Sequence, residues 1–369
     1  MGLFTRNQSA TVTAVPAPST GPVVAAAVGN GGRPSALGQP TIGAATERAL
    51  SVPTISRARD LIVALVGSLD LRQFTLTWSA DEQREVVDYV RPASWVRRPD
   101  PAVTRNFLLA NTTSDLFFHG RAFWYVTSRY ASGFPATFQW LPADSINTPD
   151  QSGPSWAGPS PVVQYAGITL DHHNVVQFLS PIDGLLSTAT RSLDIAIRLD
   201  TAARRFATNE IAAGYLQQTG GEPMSGDELG DLAAGWSKSR GENAVGALNE
   251  FVKWVEFSAN PSTLQLVEGR QHAALELARV ANIPAYLVGV PVGGMTYQNA
   301  QQARQDLYLF GAKPFVSAIA ETLSSDQILP RGQQVAFDVD AYLREASINP
   351  STREPLETPA TPDTKDDTA

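Results

Sequence analysis

The sequence predicts an α+β subunit. Three observations predict it: a helical pattern followed by a hairpin-like pair of alternating runs in the first half, two long helical patterns bracketing a small mixed insert, and a final short alternating run. No internal repeat interrupts this order.

Taken from the start, residues 1 to about 45 are rich in Ala, Val, Pro, Gly, Ser and Thr with no sustained period, so a disordered arm is expected. Ser51 to Ser68 then places Ile55, Ala58, Leu61, Ile62, Leu65 and Val66 at helical spacing before the stop at Gly67. Leu71 to Trp78 alternates as a strand does. The prolines of Trp95 to Pro101 predict an extended connection, and Thr104 opens a helix that ends near His119 and Gly120. Strands are expected at Ala122 to Ser128, Thr137 to Leu141, Val162 to Tyr165 and Val175 to Leu179, with a Pro/Gly/Ser insert from Asn147 to Pro161.

Ile182 to Asn209 reads as one long helix, with Leu193, Ala196, Ile197, Ala203 and Phe206 as its stripe and Asp194/Arg198 and Asp200/Arg204 as pairs four apart. The insert that follows offers a strand at Ala213 to Gln217, a capped helix at Ser225 to Lys238 and a strand at Lys253 to Phe257. A second long helix should start at Asn260, with Pro261 at its first position, and stop at Asn282-Ile283-Pro284. A third should begin near Thr296 to Gln298 and run past Lys313, kinked at Gly311 and Pro314. Val335 to Val339 is the last expected strand, and from about Ala346 the chain becomes a Pro-rich acidic tail.

Composition bounds the function classes. At 369 residues the chain suits two domains or one elongated subunit. The longest apolar runs, Leu61 to Val66 and Ala285 to Val292, fall far short of the roughly 18 residues a membrane helix needs, and the N-terminus shows no secretory pattern, so neither membrane insertion nor secretion is expected. The absence of cysteine excludes disulfides, thiolate metal sites and thiol nucleophiles. A net charge of -8, with arginines scattered singly, argues against a surface that grips a phosphate backbone, although nucleic acid could still pass without being held.

A search for chemistry finds little. No glycine-rich run followed by Lys and Ser/Thr exists, no strand-turn-helix carries dinucleotide glycines, and no G-x-S-x-G elbow is present. Asp171-His172-His173-Asn174 reads as turn chemistry, with a metal role as the alternative. His119 stands where an imidazole can meet terminal carbonyls, and His272 is one polar position on its helix. Asp338 and Asp340 on a terminal strand read as a solvated face or, alternatively, as paired carboxylates. Phe123-Trp124-Tyr125 reads as core, because the flanking basic residues that base stacking would use are sparse. The loop between the last two long helices, Val288 to Thr296, is glycine-rich and nearly uncharged. It exceeds the roughly two to eight residues of an ordinary helix connection, which favours a functional loop over a plain turn.

Several stretches together resemble the portal proteins of tailed bacteriophages, in particular the HK97-like portal family, over roughly Ser51 to Leu343. ISRARDLIVALVGSL is similar to the family's opening helix and WVRRPDPAVTRNFL to its Arg-Pro-Asn-Pro-like segment. LFFHGRAFWYV resembles the Gly-Asn-Ala-Tyr strand, with Arg121 in place of Asn, and FLSPIDGLLSTATRSLDIAI the Gly-x-Ser-Pro-Ile helix start, with Leu179 in place of the Gly before Ser180. The fullest match runs from Asn260 to Leu323, and it is the collinearity of these motifs that is specific.

The resemblance implies a portal-like elongated subunit with an α/β wing, a two-helix stem, a small mixed clip and a long kinked C-terminal helix. Mapped on this chain it implies a wing at 46–181, stem helices at 182–209 and 260–282, a clip at 210–259, a tunnel loop at 283–297, a kinked helix with a final wing strand at 298–345, and solvated tails at 1–45 and 346–369. It implies a homo-oligomeric ring of twelve subunits at one capsid vertex, without cofactor or catalysis, assembled in the host cytoplasm and retained in the virion. Double-stranded DNA would pass along Val290, Pro291, Val292, Gly293, Gly294, Met295, Thr296 and Tyr297 without base readout. The implied partners are the terminase large subunit, the major capsid protein and a head-tail adaptor. The alternatives are an adaptor or minor head protein, and a hydrolase using Asp338, Asp340 and His172.

Overall fold

A computed structural model describes residues 43–79, 84–151, 153, 156–208, 214–241, 248, 250–256, 265–290 and 300–345. In chain order these form α1 (Ala44–Leu50), α2 (Pro53–Ser68), β1 (Leu71–Ser79), β2 (Arg84–Tyr89), α3 (Ser94–Arg97), α4 (Arg105–His119), β3 (Arg121–Arg129) and β4 (Pro135–Leu141). Then follow β5 (Ile146–Asn147), β6 (Val163–Tyr165), β7 (Ile168–Leu170), β8 (Val175–Leu179), α5 (Leu185–Thr188), α6 (Thr190–Thr208), β9 (Gly214–Gln218), α7 (Gly226–Gly241) and β10 (Val252–Glu256). The last are α8 (Leu266–Val280), α9 (Ala300–Asp306), α10 (Lys313–Leu323), β11 (Gln333–Phe337) and α11 (Val339–Glu345). The mixture of helices and small antiparallel sheets is the expected α+β class.

The chain divides into two compact units: Arg59–Gly184 with the described residues from Ala300 onward, and Ala44–Ala58 with the described part of Leu185–Val292. In the first, β4-β3-β8 form an antiparallel sheet packed by α4 and α10, a second sheet runs β11-β1-β2, and a third β5-β6-β7. The central strand β3 is buried continuously from Ala122 to Val126, so both its faces are covered. In β3, Trp124 meets Phe138 at 5.3 Å and Phe178 at 4.8 Å between ring centroids, and Trp95 meets Phe138 edge-on at 5.7 Å. The Trp124 indole N–H donates to Thr112 Oγ1 at 2.7 Å, and that hydroxyl donates to Leu108 O at 2.7 Å, so the one polar group of this buried ring is satisfied. Phe123-Trp124-Tyr125 is core, as the sparse basic flanks predict.

In the second unit α6 packs on α8, and the antiparallel pair β9–β10 is joined through α7, whose Trp236 ring lies tilted 5.6 Å from that of Trp254 between centroids. The predicted Asp194/Arg198 pair forms at 2.6 Å, and Arg48 adds a second contact at 2.7 Å. The hydrogen bond from Arg198 is the main reason the Asp194 carboxyl sits below the usual carboxylate range. Asp200 accepts from Arg270 of α8 at 3.1 Å. Ser225 and Glu228 form the reciprocal cap of α7, the Ser225 N–H donating to Glu228 Oε2 at 2.8 Å.

Four expectations are corrected. Trp95 to Pro101 is not extended throughout, because Ser94–Arg97 makes one helical turn that buries Trp95 and Val96. The helix expected from Ile182 starts only at Leu185, since Ser180–Gly184 is held as a connection against the end of α4. The helix expected from Asn260 to Asn282 is not continuous, because Gln265 sits at a left-handed φ of 48° and α8 begins after it at Leu266; the expected start at Asn260 and Pro261 lies outside the described residues. The final strand ends at Phe337: Asp338 instead accepts from the Ala341 N–H at 3.0 Å and starts α11, where Val339 and Asp340 lie. Strands β2, β5 and β7 and helices α1 and α11 went unread in the sequence.

Candidate functional site

The stretch that the sequence marks as functional is framed on both sides by described structure. On its entry side α8 ends through Asn282 at a left-handed φ of 54°. The Asn282 N–H donates to Arg279 O and the Ile283 N–H to Ala278 O, both at 3.0 Å, closing the helix with paired reverse bonds. Pro284 follows and cannot resume it. A 3₁₀ turn, Ala285–Val288, carries the chain to Gly289 at φ 81°, and the Val290 N–H donates to Ala285 O at 3.1 Å. Val290, the first residue of the predicted channel-lining stretch, is held by this bond. Pro291, Val292, Gly293, Gly294, Met295, Thr296 and Tyr297 lie outside the described residues.

On the exit side the long helix is not uniform. Between α9 and α10, Leu307–Ala312 winds as a π-helix that contains Gly311, and the Lys313 N–H donates five residues back to Tyr308 O. Pro314 explains the widening: it lacks the N–H that would reach the Phe310 carbonyl, and in regular α geometry its ring would press on that oxygen. Gly311 and Ala312 are buried in the widened turn, while Leu309 and Phe310 are half exposed.

In the first unit a buried junction joins two of the sequence motifs. Gly120 caps α4 at φ 71°, and its carbonyl accepts from the Ser180 N–H at 2.9 Å. A side chain at Gly184 would run into the backbone of Phe118, His119 and Gly120, so the glycines of the HGRAF and SPIDG segments are required by their close approach. Beneath them the Asp115 carboxylate accepts from the Trp140 indole N–H at 2.8 Å and the Ala143 N–H at 3.0 Å, while His119 Nε2 lies 3.3 Å from Asp144 Oδ1. Burial pushes the Asp115 carboxyl up to about 7, against the lowering influence of His119 and its two donors. Arg121 lies 3.9 Å over the Trp156 ring and donates to Thr148 Oγ1 at 2.6 Å. Burial draws its guanidinium down to about 10, with Asp150 opposing. No local pattern signals that Asp115, Trp140 and Asp144 converge, because each contact spans residues far outside any helical or strand period.

The carboxylates considered for hydrolysis do not share a strand face. Asp338 pairs with Arg72 and caps α11, and the groove of about 680 Å³ that His172 lines contains neither Asp338 nor Asp340. The Asp171, His172 and His173 ligand atoms lie within 4.8 Å of one another and are exposed. The Asp171 carboxylate is engaged there as a cap, accepting from the His173 N–H and from Asn174 Nδ2, each at 3.1 Å.

A family model for phage portal proteins matches residues 53–349, the whole run from α2 to the end of the described chain. The chain belongs to the phage portal protein family. A crystal structure of an HK97-family portal protein from Corynebacterium diphtheriae is 27% identical with a TM-score of 0.66, over 80% of this chain and 96% of that one. Chains in a native gene transfer agent virion, and in the neck of that particle computed with C12 symmetry, share 18% identity with TM-scores of 0.56 and 0.54, covering 84% and 85% of this chain and 89% of each of those. At that identity they establish the fold alone. An uncharacterised protein of Rickettsia felis is 35% identical over 78 residues, which is 21% of this chain and 20% of the relative's length. The portal family is structural rather than enzymatic.

Proposed function

We propose that this chain is the portal subunit of a tailed-phage-like particle, forming a ring of twelve copies through which double-stranded DNA is packaged and ejected. The observation that carries this reading is the collinear portal match over residues 53–349, supported by a structural likeness to an HK97-family portal that spans 96% of that chain. The unit with Arg59–Gly184 and the residues from Ala300 is assigned as the wing; α6 and α8 are assigned as the stem, and β9, α7 and β10 as the clip. Val290 to Tyr297 is assigned as the tunnel loop that meets DNA. Its lack of Arg, Lys, Asp and Glu suits a lining that neither grips phosphate nor reads base edges, and the net charge of -8 acts in the same direction. Gly311 in the π-helical turn and Pro314 at the start of α10 are assigned as the bend of the helix that leaves this loop. The terminase large subunit, the major capsid protein and a head-tail adaptor are the partners this role requires, with assembly in the host cytoplasm and residence at the virion vertex.

Mass photometry and negative-stain microscopy of the assembled protein test the reading. A ring of single stoichiometry is expected, and a chain that stays monomeric with and without capsid protein overturns it. Replacing Gly293 and Gly294 by Leu should leave rings intact while reducing packaged DNA; normal packaging by that variant removes the tunnel-loop assignment.

A further inference from the structure

Among the described residues one group of metal-ligand side chains stands together: Asp171, His172 and His173, in the turn that leads from β7 to β8. One ligand atom from each lies within 4.8 Å of the other two, and all three residues are exposed. The turn that carries them is pinned. The Asp171 carbonyl accepts from the Asn174 N–H at 2.9 Å, and Arg129 of β3 donates to His173 O at 2.7 Å and to Asn174 Oδ1 at 3.0 Å. The carboxylate is oriented as well, since Asp171 Oδ1 accepts from the His173 N–H and Oδ2 from Asn174 Nδ2, each at 3.1 Å. A carboxylate offers about four lone pairs, so these two bonds leave each oxygen able to meet a cation. The two imidazoles lie against each other, with ring centroids 3.9 Å apart, and His172 Nδ1 stands 4.0 Å from Asp171 Oδ1, beyond hydrogen-bond reach.

We propose that Asp171, His172 and His173 bind a divalent transition-metal ion of the Zn²⁺ or Ni²⁺ class, through two imidazole nitrogens and one carboxylate oxygen, with water in the remaining positions. The donor set decides the class: imidazole with carboxylate suits these ions, whereas Mg²⁺ and Ca²⁺ are held by oxygen throughout. Ligand atoms about 2.0–2.1 Å from a zinc ion stand about 3–3.5 Å from one another, and small rotations of three exposed side chains close that distance. Asn174 is the outer partner that holds the carboxylate, as ligating carboxylates are generally held. The Arg129 guanidinium beside the turn opposes an added cation, so the site is weaker than a closed zinc centre of four ligands. β7 belongs to the sheet β5-β6-β7 and β8 to β4-β3-β8, so a bound ion braces the joint between two sheets of the first unit. The inference does not depend on the portal reading.

Calorimetric titration of the tag-free full chain with zinc chloride tests it; no cysteine competes for the ion. One ion per chain is expected, with magnesium chloride giving no binding at the same concentration. His172→Ala with His173→Ala should weaken zinc about tenfold or more, and Asn174→Ala about tenfold with all three ligands still present. Zinc should raise the melting temperature of the parent chain and leave that of the double histidine variant unmoved. Zinc binding unchanged in the double variant puts the ion elsewhere on the chain and overturns the proposal. So does a parent chain that takes up no zinc, or one that binds magnesium equally well. If the double variant fails to fold, His172→Ala and His173→Ala singly, each removing one exposed ring, decide by the same comparison.

Discussion

The two units bury different chemistry. The first is held by large rings locked edge to face, Trp95, Trp124, Phe138 and Phe178, with their polar groups satisfied inside. In the second, the buried hydrophobic positions among the described residues are all aliphatic, Ala49, Ala273 and Ala278 beside Ile55, Leu185, Leu193 and Leu277, and ion pairs such as Arg48–Asp194 and Arg270–Asp200 lie on its surface. An aliphatic side chain buries less apolar area than an aromatic ring, and exposed ion pairs add little stability, so the first unit has more to lose from a truncation and less room for an added atom.

The largest effect that would break this contrast comes from Trp124→Ala. Removing the ring empties the centre of the first unit's core and leaves the Thr112 hydroxyl without its donor. A loss of about 3–5 kcal/mol in denaturant unfolding is expected. A loss near that of a surface substitution would mean the core is not the rigid part.

A sharper test applies one substitution to both units. Gly184→Ala should cost about 1–3 kcal/mol, because its methyl group meets the backbone of Phe118, His119 and Gly120. Gly269→Ala, within α8 and 3.5 Å from Leu199 Cδ2, finds ordinary contact and should stabilise by about 0.5–1 kcal/mol through helix propensity. Thermal melts of the two variants should therefore move in opposite directions; the same direction in both would dissolve the distinction.

The subtlest test concerns the buried carboxyl. Because the folded state holds Asp115 protonated up to about pH 7 while the unfolded chain releases that proton near the ordinary carboxylate range, its contribution is present at low pH and is lost as pH rises through about 7. Asp115→Asn keeps an oxygen for the Trp140 and Ala143 donors and cannot ionise. Melting temperatures measured from about pH 5 to pH 8 should fall less steeply in the variant than in the parent chain, even though His119 and Asp144 stand nearby. Identical slopes would remove Asp115 as the source.

Local signals in the sequence read well. Thr104 as the cap of α4, Gly120 as its end, Asn282-Ile283-Pro284 as the end of α8, and the Ser225 start of α7 each depend on residues within one turn, and each stands in the structure where the sequence predicts it. The strand β2 was missed because a short run with Arg84, Glu85 and Asp88 lacks the alternation of a half-buried strand; its apolar members lie on a face that stays exposed. The chain's end was misread for a related reason. Val335 to Val339 looks extended throughout, and only the Asp338 cap, backed by Arg72 on β1, turns it into a helix.

The sequence by itself determined the α+β class, the ends of α4 and α8 and the start of α7 and, through the order of its motifs, the portal family, because these reside in neighbouring residues or in collinear spacing. Tertiary structure alone decided why Gly120 and Gly184 must both be glycine, how Asp115 comes to hold a proton, and which side of the β1–β2 hairpin is left apolar. Each of these depends on groups far apart in the chain brought within van der Waals or hydrogen-bonding distance, or on a strand register, and no local period encodes either.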